Sequence, residues 1–523
     1  MDIQNQTVIP VENPINGKVL YEINDNPENV ASYYKIADEV QQKIQAMSIK
    51  ERIAEVDKIN QYVLDHSDFI LDCIIAETGK ARTDAFAAEV FEVGDVIDVY
   101  KKLAPKLLKD KNIDMPVFLM GKKCKQYFEP LGTVLVITPW NFPFYQVIVP
   151  SMLSFLAGNA TIAKPSEVTP LKPLWEHFFA NSGFMKDAIQ VVFGGKQVGA
   201  ALIQQRPGKI HFTGSVKTGK AIAKLAAEQL IPVDLELGGK DASIVFDDIN
   251  MDRTVNGVMW GAFTNAGQNC TGIERLYVQD TIYDKFVNEL VDKTKKLRTS
   301  NIERNTKSPD DCDMGTMTAP FQVAIVEDHI EDALAKGAKL LCGGITEKGS
   351  MHMLPTILEN CTHDMKIASE ETFGPTVAIM KFKTEAEAIA LANDSIYGLG
   401  GSVWTKDLVR GERVARAIKT GNFCINNHMI NEANPYLPFG GTKDSGIGRF
   451  KGEEGILTFC NHKSVLIDKM SGIIEPHWYP FTNTKAQLLR NLMDSWFQKS
   501  RNYIKFAING LKIDSIGTKE QIK

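Results

Sequence analysis

The stretch TVLVITPWNFPF, residues 133–144, sets the fold class of this chain. Its first six residues form an apolar run of strand length that stops at an irregular, proline-containing segment. Further strands separated by helical segments are predicted at Ala160–Lys164, Gln190–Phe193, Lys209–Thr213 and Val233–Leu237. Such alternation predicts an α/β fold with a parallel sheet, in which ligands bind at the carboxyl ends of the strands.

A second α/β series follows the Gly238–Gly239 break, and a helical region precedes the first series. The second series is predicted to contain strands at Ala242–Phe246, Arg275–Val278, Lys339–Cys342 and Thr376–Phe382, and helices at Thr281–Leu297 and Phe321–Lys336. Thr384 and Glu387 make a capping box for one more helix. The early region is predicted to hold helices at Tyr33–Ala46, Ser48–Ser67 and Asp84–Leu108, then a hairpin over Met115–Phe128.

Composition and charge exclude several classes of protein. The chain has 523 residues, 44% apolar and 24% charged, which predicts two or three ordinary globular domains. Its net charge of −5 gives no reason to expect nucleic-acid binding. Eight cysteines without a CxxC pair and nine histidines without an HExxH motif indicate a reduced protein with no metal site. The polar N-terminus and the prolines inside Val134–Ala163 predict a cytoplasmic protein without a membrane span.

The segment WGAFTNAGQNCTG, residues 260–272, places Cys270 among small and amide residues. A structural cysteine is usually packed among aliphatic side chains and is inert, so this setting suits a nucleophile. A packed bystander remains the alternative when the segment is taken alone.

Four other positions could serve chemistry or cofactor binding. FTGSVKTG, residues 212–219, runs from a strand into a helix start whose free N–H groups suit a pyrophosphate, although it could be only a tight turn. Lys164 and Glu167 follow a strand and could hold ribose hydroxyls or form a surface ion pair. Glu236 lies at the end of an apolar strand, where it could act as a general base or could be paired with a lysine or arginine. Asn141 offers an amide for an oxyanion or for capping a turn.

Seven motifs in order resemble the aldehyde dehydrogenase superfamily over residues 10–468. They are PWNFP at 139–143, KPSE at 164–167, FTGS at 212–215, LELGGK at 235–240, GQNC at 267–270, EETFGP at 370–375 and PFGGTKDSGIGR at 438–449. The resemblance implies a Rossmann-like cofactor domain, an α/β catalytic domain and a β-arm for homodimers or homotetramers. The implied bounds are 1–110, 131–238 and 441–457 for the NAD-binding domain, 239–440 for the catalytic domain, 111–130 and 458–468 for the arm, and 469–523 for a tail.

The resemblance also implies a mechanism and a set of site residues. Cys270 is expected to attack the aldehyde, Asn141 to hold the oxyanion and Glu236 to activate water. The expected cofactor-binding residues are Thr138, Pro139, Trp140, Lys164, Ser166, Glu167, Gly214, Ser215, Thr218, Gly219, Leu237, Glu371 and Phe373. Glu167 would repel a 2′-phosphate, so NAD is preferred, with NADP possible in family members. No metal is expected.

The resemblance leaves the substrate and the acceptor as separate questions. The sequence around the motifs is most similar to members acting on aliphatic, medium- or long-chain aldehydes. A CoA-acylating relative is the alternative, although Glu236 argues against it. A non-catalytic scaffold is a second alternative, and Cys270, Glu236 and Asn141 argue against that.

The tail beyond Asp468 differs in charge from the rest of the chain. From Lys469 to Lys523 nine Lys/Arg and four Asp/Glu give a net charge of +5, against −10 elsewhere. Apolar residues between Leu488 and Leu511 fall on one arc of a helix, with basic residues at its edge, as in helices that lie on a membrane surface. Docking on the body of the protein or on a partner subunit is the other interpretation.

Overall fold

The structure is a computed structural model that describes residues 7–119, 121–300, 312–469, 472 and 474–520. The chain divides into two compact units, one of Met1–Lys109 with Phe128–Asn461 and one of Asp110–Tyr127 with His462–Lys523. No helix among the described residues is both long enough and apolar enough to cross a membrane.

The strands are short and belong to four sheets. They are β1 Thr7–Glu12, β2 Val19–Asp25, β3 Lys111–Ile113, β4 Lys122–Pro130, β5 Thr133–Ile137, β6 Ala160–Lys164, β7 Ile189–Val191, β8 Lys209–Gly214, β9 Val233–Leu237, β10 Asp241–Val245, β11 Ile273–Gln279, β12 Lys339–Cys342, β13 Thr356–Glu359, β14 Thr376–Phe382, β15 Gly401–Trp404, β16 Cys424–Ile425, β17 Gly446–Ile447 and β18 Cys460–Asp468. β1 and β2 pair with each other as a separate antiparallel ribbon.

The helices alternate with the strands through most of the chain. They are α1 Val30–Ala46, α2 Ile49–Asp65, α3 Ser67–Thr78, α4 Arg82–Ala85, α5 Glu92–Leu107, α6 Tyr145–Leu156, α7 Lys172–Asn181, α8 Lys196–Gln204, α9 Val216–Ala227, α10 Met251–Phe263, α11 Tyr283–Thr294, α12 Pro320–Ala335, α13 Lys366–Ser369, α14 Glu385–Asn393, α15 Leu408–Ala417, α16 Glu454–Leu457, α17 Asn483–Trp496 and α18 Tyr503–Lys519. Half of the capping box predicted for α14 is confirmed, because Thr384 Oγ1 accepts a hydrogen bond from the backbone N–H of Glu387. The Glu387 carboxylate accepts from Lys383 N instead of Thr384 N.

The first large sheet has the strand order β17-β9-β8-β5-β6-β7. Its strands are parallel except β17, and its β5 and β6 are buried along their whole length. Ile137 pairs with Lys164 and with Phe212, while Gly214 pairs with Leu237. The carboxyl ends of four strands therefore meet at one edge, which is where ligands of open parallel sheets bind.

The second large sheet has the order β12-β13-β14-β11-β10-β15-β16, with β12 antiparallel to its neighbour. Each large sheet has its own hydrophobic core. The α/β class predicted from the alternation is confirmed. Four strands of two to four residues were missed, namely β13, β15, β16 and β17, because such short runs carry too few residues to show a period.

Two predictions for the first 130 residues need correction. The hairpin predicted over Met115–Phe128 begins earlier, because β3 pairs antiparallel with β4 and a 3₁₀ turn occupies Val117–Leu119. All three residues of β3 are exposed, so no burial pattern marks that strand. The helix predicted over Asp84–Leu108 contains a π-helical turn at Phe86–Phe91 between α4 and α5.

The second compact unit contains the sheet β18-β4-β3 and the tail helices. The single amphipathic helix predicted for the tail is wrong: α17 ends at Trp496 and α18 begins at Tyr503. The Asn502 side chain accepts a hydrogen bond from Lys505 N, so it caps a new helix instead of continuing the old one. The Trp496 and Phe506 rings lie 4.7 Å apart, which joins the two helices as a hairpin.

Candidate active site

Cys270 lies in a loop between α10 and β11. Asn265, Ala266 and Gly267 all have positive φ, which turns the chain sharply after the helix. A Cβ at Gly267 would lie 2.0 Å from the carbonyl oxygen of Gly374, so only glycine fits. The loop thus delivers Cys270 to the entrance of a buried strand with its side chain partly accessible.

The neighbours of Cys270 shape this loop. Gln268 is fully buried, and its amide donates to Asn265 O at 3.0 Å and accepts from Thr318 N at 2.8 Å. Asn269 Oδ1 accepts a hydrogen bond from the backbone N–H of Thr271 at 3.2 Å and lies 3.1 Å from the Thr271 hydroxyl oxygen. The same oxygen lies 3.8 Å from Cys270 Sγ.

The thiol of Cys270 is electrostatically disfavoured as a thiolate in the protein alone. Burial raises the pKa of Cys270 well above its ordinary value, and the carboxylates of Glu432, Asp241, Glu371 and Glu236 raise it further, in that order. A cation brought to this site would lower that pKa.

Asn141 is held against the Cys270 loop from the other side. Its side-chain Nδ2 donates to Gln268 O at 3.0 Å, which leaves one N–H of the amide for another acceptor. Its backbone oxygen accepts from Lys80 Nζ at 2.7 Å, and Lys80 is paired with Glu89 at 2.6 Å. Both side chains of that pair are completely buried. Sequence reasoning missed the pair.

Glu236 ends β9 with its carboxylate enclosed. Neither carboxylate oxygen has a hydrogen-bond partner among the described residues. Burial, then Asp234, raises the pKa of Glu236 well above its ordinary value, against the opposing charge of Arg449. A Cβ at Gly440 would lie 2.9 Å from Glu236 Oε1, so a glycine loop closes over this carboxylate. A proton acceptor of this kind is suited to general-base chemistry.

A cavity of about 1180 Å³ brings the predicted residues together. Cys270, Asn141 and Glu236 all line it. The predicted cofactor residues that line it are Thr138, Pro139, Trp140, Lys164, Ser166, Glu167, Gly214, Ser215, Thr218, Leu237, Glu371 and Phe373. Gly219 lies outside the wall. A Cβ there would lie 2.5 Å from Leu237 Cδ2, so this glycine allows α9 to pack closely on β9.

One end of the cavity fits a dinucleotide. Ser215 caps α9, whose first N–H groups and dipole favour an anion. Lys164 is buried and donates to Glu167 Oε2 at 3.3 Å, and burial lowers its pKa. The hydroxyl of Thr138 is buried with no partner among the described residues. These groups offer the phosphate and hydroxyl contacts that NAD(P) needs.

Glu371 and Phe373 lie on a loop that faces the same space. Glu371 Oε1 accepts from Gly239 N at 3.0 Å, and burial raises the pKa of Glu371 to about 8. The ring of Phe373 packs edge-on to that of Trp140, with centroids 5.3 Å apart. Glu274, unrecognised in the sequence, accepts the backbone N–H groups of Thr372 and Phe373, each at 2.8 Å.

The rest of the cavity wall, the aldehyde end, combines apolar side chains with acidic ones. Ala87, Ala88 and Phe91 of the π-helical turn contribute to its wall. π-Turns occur often at functional sites. Asp84, just before that turn, accepts from the Thr264 hydroxyl at 2.7 Å and Asn265 N at 2.8 Å, which joins this wall to the Cys270 loop.

A family model described as the aldehyde dehydrogenase family matches residues 2–465. The chain belongs to the aldehyde dehydrogenase family. It is therefore an NAD(P)-dependent oxidoreductase that acts on aldehydes. The superfamily resemblance drawn from the seven motifs is confirmed.

Individual members of the aldehyde dehydrogenase family differ in their named substrates. The chain is 38% identical to a 4,4'-diapolycopene aldehyde oxidase of Methylomonas sp, over 86% of this chain and 83% of the relative. It is 32% identical to a putative NADP(+) succinate-semialdehyde dehydrogenase of Mycobacterium ulcerans, over 88% and 89%. Family membership alone therefore leaves the aldehyde open.

Solved structures of the family share the fold. A putative aldehyde dehydrogenase, PutA, from Anabaena variabilis has a TM-score of 0.83 at 32% identity, covering 91% of this chain and 100% of that one. A betaine aldehyde dehydrogenase of Staphylococcus aureus in complex with NAD+ has a TM-score of 0.83 at 30% identity, covering 91% and 95%.

Proposed function

We propose that this protein oxidises an apolar, aliphatic aldehyde to the carboxylic acid through a thioester on Cys270. The observation that carries the proposal is one cavity wall shared by a thiol, an amide donor, an enclosed carboxylate and a dinucleotide-type edge. A scaffold without activity would have no need for this combination.

Cys270 and Asn141 carry out the first half of the reaction. The Cys270 thiol first loses its proton to solvent. The thiolate sulfur then bonds to the carbonyl carbon, and the electron pair of the C=O π bond moves to the oxygen, which becomes an oxyanion. The free N–H of the Asn141 amide and the backbone N–H of Cys270 stabilise that oxyanion, where one such donor contributes about 100–1,000-fold in rate. The bound cofactor supplies the hydride acceptor, which leaves an acyl thioester on Cys270.

Glu236 carries out the second half. Its carboxylate takes a proton from a water molecule, whose oxygen attacks the thioester carbon. The C–S bond breaks, the acid leaves and the Cys270 thiolate returns. Because burial raises the pKa of Glu236, its basic form is populated at higher pH than that of an ordinary carboxylate. Turnover should therefore rise with pH.

The residues proposed to bind the cofactor lie at or near the edge of the first sheet where the strands end. Lys164 and Glu371 are positioned for ribose hydroxyls, Phe373 for the nicotinamide end, and the N-terminus of α9 for the pyrophosphate. Glu167 disfavours a 2′-phosphate by charge repulsion, which supports NAD over NADP. The core of the six-stranded sheet corresponds to the proposed cofactor domain, and that of the seven-stranded sheet to the proposed catalytic domain.

Apolar side chains at the aldehyde end of the cavity support an apolar substrate. Ala87, Ala88, Phe91 and Met429 contribute to that end, and the Methylomonas relative is named for an apolar polyene aldehyde. The Mycobacterium relative is named for a short anionic aldehyde, which makes succinate semialdehyde the necessary comparison.

The decisive experiment measures NADH formation with straight-chain aldehydes of increasing length, with and without CoA. We expect kcat/KM to rise with chain length, acid to form without CoA, and Cys270→Ala to abolish the reaction. Acid formation that requires CoA would assign the acylating reaction instead. Parent-like activity in Cys270→Ala would rule out the mechanism.

The tail hairpin is proposed to attach the enzyme to an anionic lipid surface, where apolar aldehydes partition. α17 and α18 each expose an apolar stripe: Leu489, Met493 and Phe497 on one, and Ile504, Ile508 and Leu511 on the other. The net charge of the tail, +5 from Lys469 to Lys523, complements anionic headgroups. Among the described residues both stripes are exposed, which supports an external partner.

Liposome co-sedimentation tests this attachment. The full chain should sediment with vesicles containing anionic lipid, and less so at high salt, whereas a chain ending at Asp468 should stay in the supernatant. Equal sedimentation of both would contradict the proposal. A second copy as the partner would appear as a change of oligomeric state on truncation, without any lipid binding.

The arm is proposed to form homodimers or homotetramers. β3, β4 and β18 form a three-stranded sheet whose strand β3 is exposed at its edge. An exposed edge strand is suited to pairing with another chain. Light scattering of the full chain measures the mass of the assembly, and a monomeric mass would overturn this part.

A further inference from the structure

The cavity wall beside Cys270 carries a carboxylate that the proposed mechanism leaves unused. Glu432 follows β16 on a loop and lines the cavity. Both of its carboxylate oxygens lie 3.0 Å from the hydroxyl of Thr271, the residue directly after Cys270. The negative charge is therefore held close to the reacting sulfur.

Burial raises the pKa of Glu432 and the charge of Lys451 lowers it in part, but no cation among the described residues forms an ion pair with this carboxylate. Lys451 is the nearest lysine, but its ammonium is paired with Glu92 Oε1 at 2.6 Å and donates to the backbone oxygen of Glu432. Among the described residues the Glu432 carboxylate forms no ion pair. Lys451 is thus occupied, and it is not free to receive the carboxylate of a substrate.

Acidic residues outnumber basic ones in the part of the wall around Glu432. Asp84, Glu92 and Glu432 are all lining residues, and the ammonium of Lys451, which also lines the cavity, is paired with Glu92. A substrate that carried a second carboxylate would meet an excess of like charge in a partly dry space, where such repulsion is strong.

We propose that Glu432 is a specificity-determining residue that disfavours anionic aldehydes at Cys270. Its carboxylate repels a substrate carboxylate a few bonds from the reacting carbonyl, while neutral aldehydes of the same length enter. The inference rests on the proposed function for its substrate class. It predicts that a short anionic aldehyde, as in the name of the Mycobacterium relative, is a poor substrate here.

The first test needs no turnover. Iodoacetamide and iodoacetate are a neutral and an anionic reagent of the same size, and the alkylation rate of Cys270 with each is measured by peptide mass spectrometry. The assay is run at pH 8, because burial raises the pKa of Glu432 only to about 7 and its carboxylate is then ionised. In Glu432→Gln the ratio of iodoacetate rate to iodoacetamide rate should rise about tenfold.

The design separates charge from structure. Gln keeps an oxygen that can accept from the Thr271 hydroxyl. Glu432→Asp keeps the charge and should keep the low ratio, and Glu412→Gln removes an exposed carboxylate elsewhere and should do the same. A merely structural role would change both alkylation rates together and leave the ratio unchanged, which would overturn the proposal.

The second test uses turnover with butanal and succinate semialdehyde, which have equal carbon chains and differ by a carboxylate. Glu432→Gln should raise the ratio of kcat/KM for succinate semialdehyde to that for butanal about tenfold. An unchanged ratio of kcat/KM values would also refute the filter. A shifted alkylation ratio without oxidation of any aldehyde would retain the filter and reject the proposed function.

Discussion

Two buried lysine–glutamate pairs support the cavity from different parts of the chain. In the first, Lys80 and Glu89 lie 2.6 Å apart, with both side chains fully buried. Glu89 accepts from Phe144 N at 2.8 Å, and Lys80 donates to Asn141 O at 2.7 Å. This pair therefore fixes both ends of the loop that presents the Asn141 amide.

The second pair, Lys240 and Glu274, holds a loop beside the cofactor edge in the same way. Lys240 contacts Glu274 and donates to the hydroxyl of Thr372 at 3.0 Å. Glu274 accepts two backbone N–H groups of the loop that bears Glu371 and Phe373. The same arrangement thus positions chemistry in one place and cofactor contacts in the other.

The two pairs should contribute alike to stability but differently to function. Each glutamate satisfies backbone N–H groups of its loop and neutralises a buried ammonium, so each pair should matter similarly for folding. Only the loops differ, so the kinetic consequences of disturbing them should differ. A buried ionic contact can serve position more than stability, because desolvation offsets much of its attraction.

The largest expected effect is on folding. Glu89→Gln and Glu274→Gln each leave a buried lysine without its counter-charge, which costs about 3–5 kcal/mol in such sites. Thermal unfolding should shift to lower temperature in both variants. Asp98→Asn, which breaks the exposed Lys102–Asp98 pair on α5, is the control and should leave the midpoint unchanged. Parent-like melting of either buried variant would show that its pair is dispensable.

The next effect is on catalysis at the first loop. Asn141→Ala removes an oxyanion donor, so kcat should fall about 100–1,000-fold while the KM of the cofactor stays the same. Iodoacetamide should still alkylate Cys270, which would show that the loop remains accessible. Asn181→Ala, an exposed amide on α7, is the matched control. A fall in kcat of less than about tenfold would remove Asn141 from the oxyanion site.

Sequence patterns located the cofactor edge because its residues are local to strand ends. Lys164, Gly214 and Leu237 each end a parallel strand, and an apolar run in the sequence predicts each of these strands. Register then follows from the parallel pairing, which places these ends together. Glu236 was found for the same reason, since it lies one residue before the end of β9, whereas Cys270 was found from its small and amide neighbours.

The buried lysine–glutamate pairs and the aldehyde end of the cavity depend on contacts between segments that are distant in the sequence. Lys80 and Asn141 are 61 positions apart, and Thr271 and Glu432 are 161 apart. Such pairs form only when whole elements pack, and nothing in their local sequence marks them. The π-turn at Phe86–Phe91 was missed because one turn is too short to separate its period from that of an α-helix.

A smaller effect is expected at the second loop. Burial raises the pKa of Glu371 to about 8, so its carboxylate is protonated below that pH and ionised above it. An ionised carboxylate accepts ribose hydroxyls more strongly, so the KM of the cofactor should fall as pH rises from about 7 to about 9. Glu371→Gln should raise this KM about tenfold at high pH and remove the pH dependence. An unchanged pH profile in the variant would assign the dependence to another group.

The smallest effect is expected at Glu167, a residue that belongs to neither of the two buried pairs. Among the described residues Lys164 is the one ion-pair partner of Glu167, at 3.3 Å. The Glu167 side chain is 42% exposed, so water and salt screen its charge. Glu167→Gln should raise the preference for NADP relative to NAD by about two- to fivefold, measured as the ratio of kcat/KM values at low salt. The shift should shrink as salt is added. A large change that does not depend on salt would mean that the bound cofactor orders Glu167 firmly. The exposed Glu167 would then not differ from a buried, paired carboxylate such as Glu274.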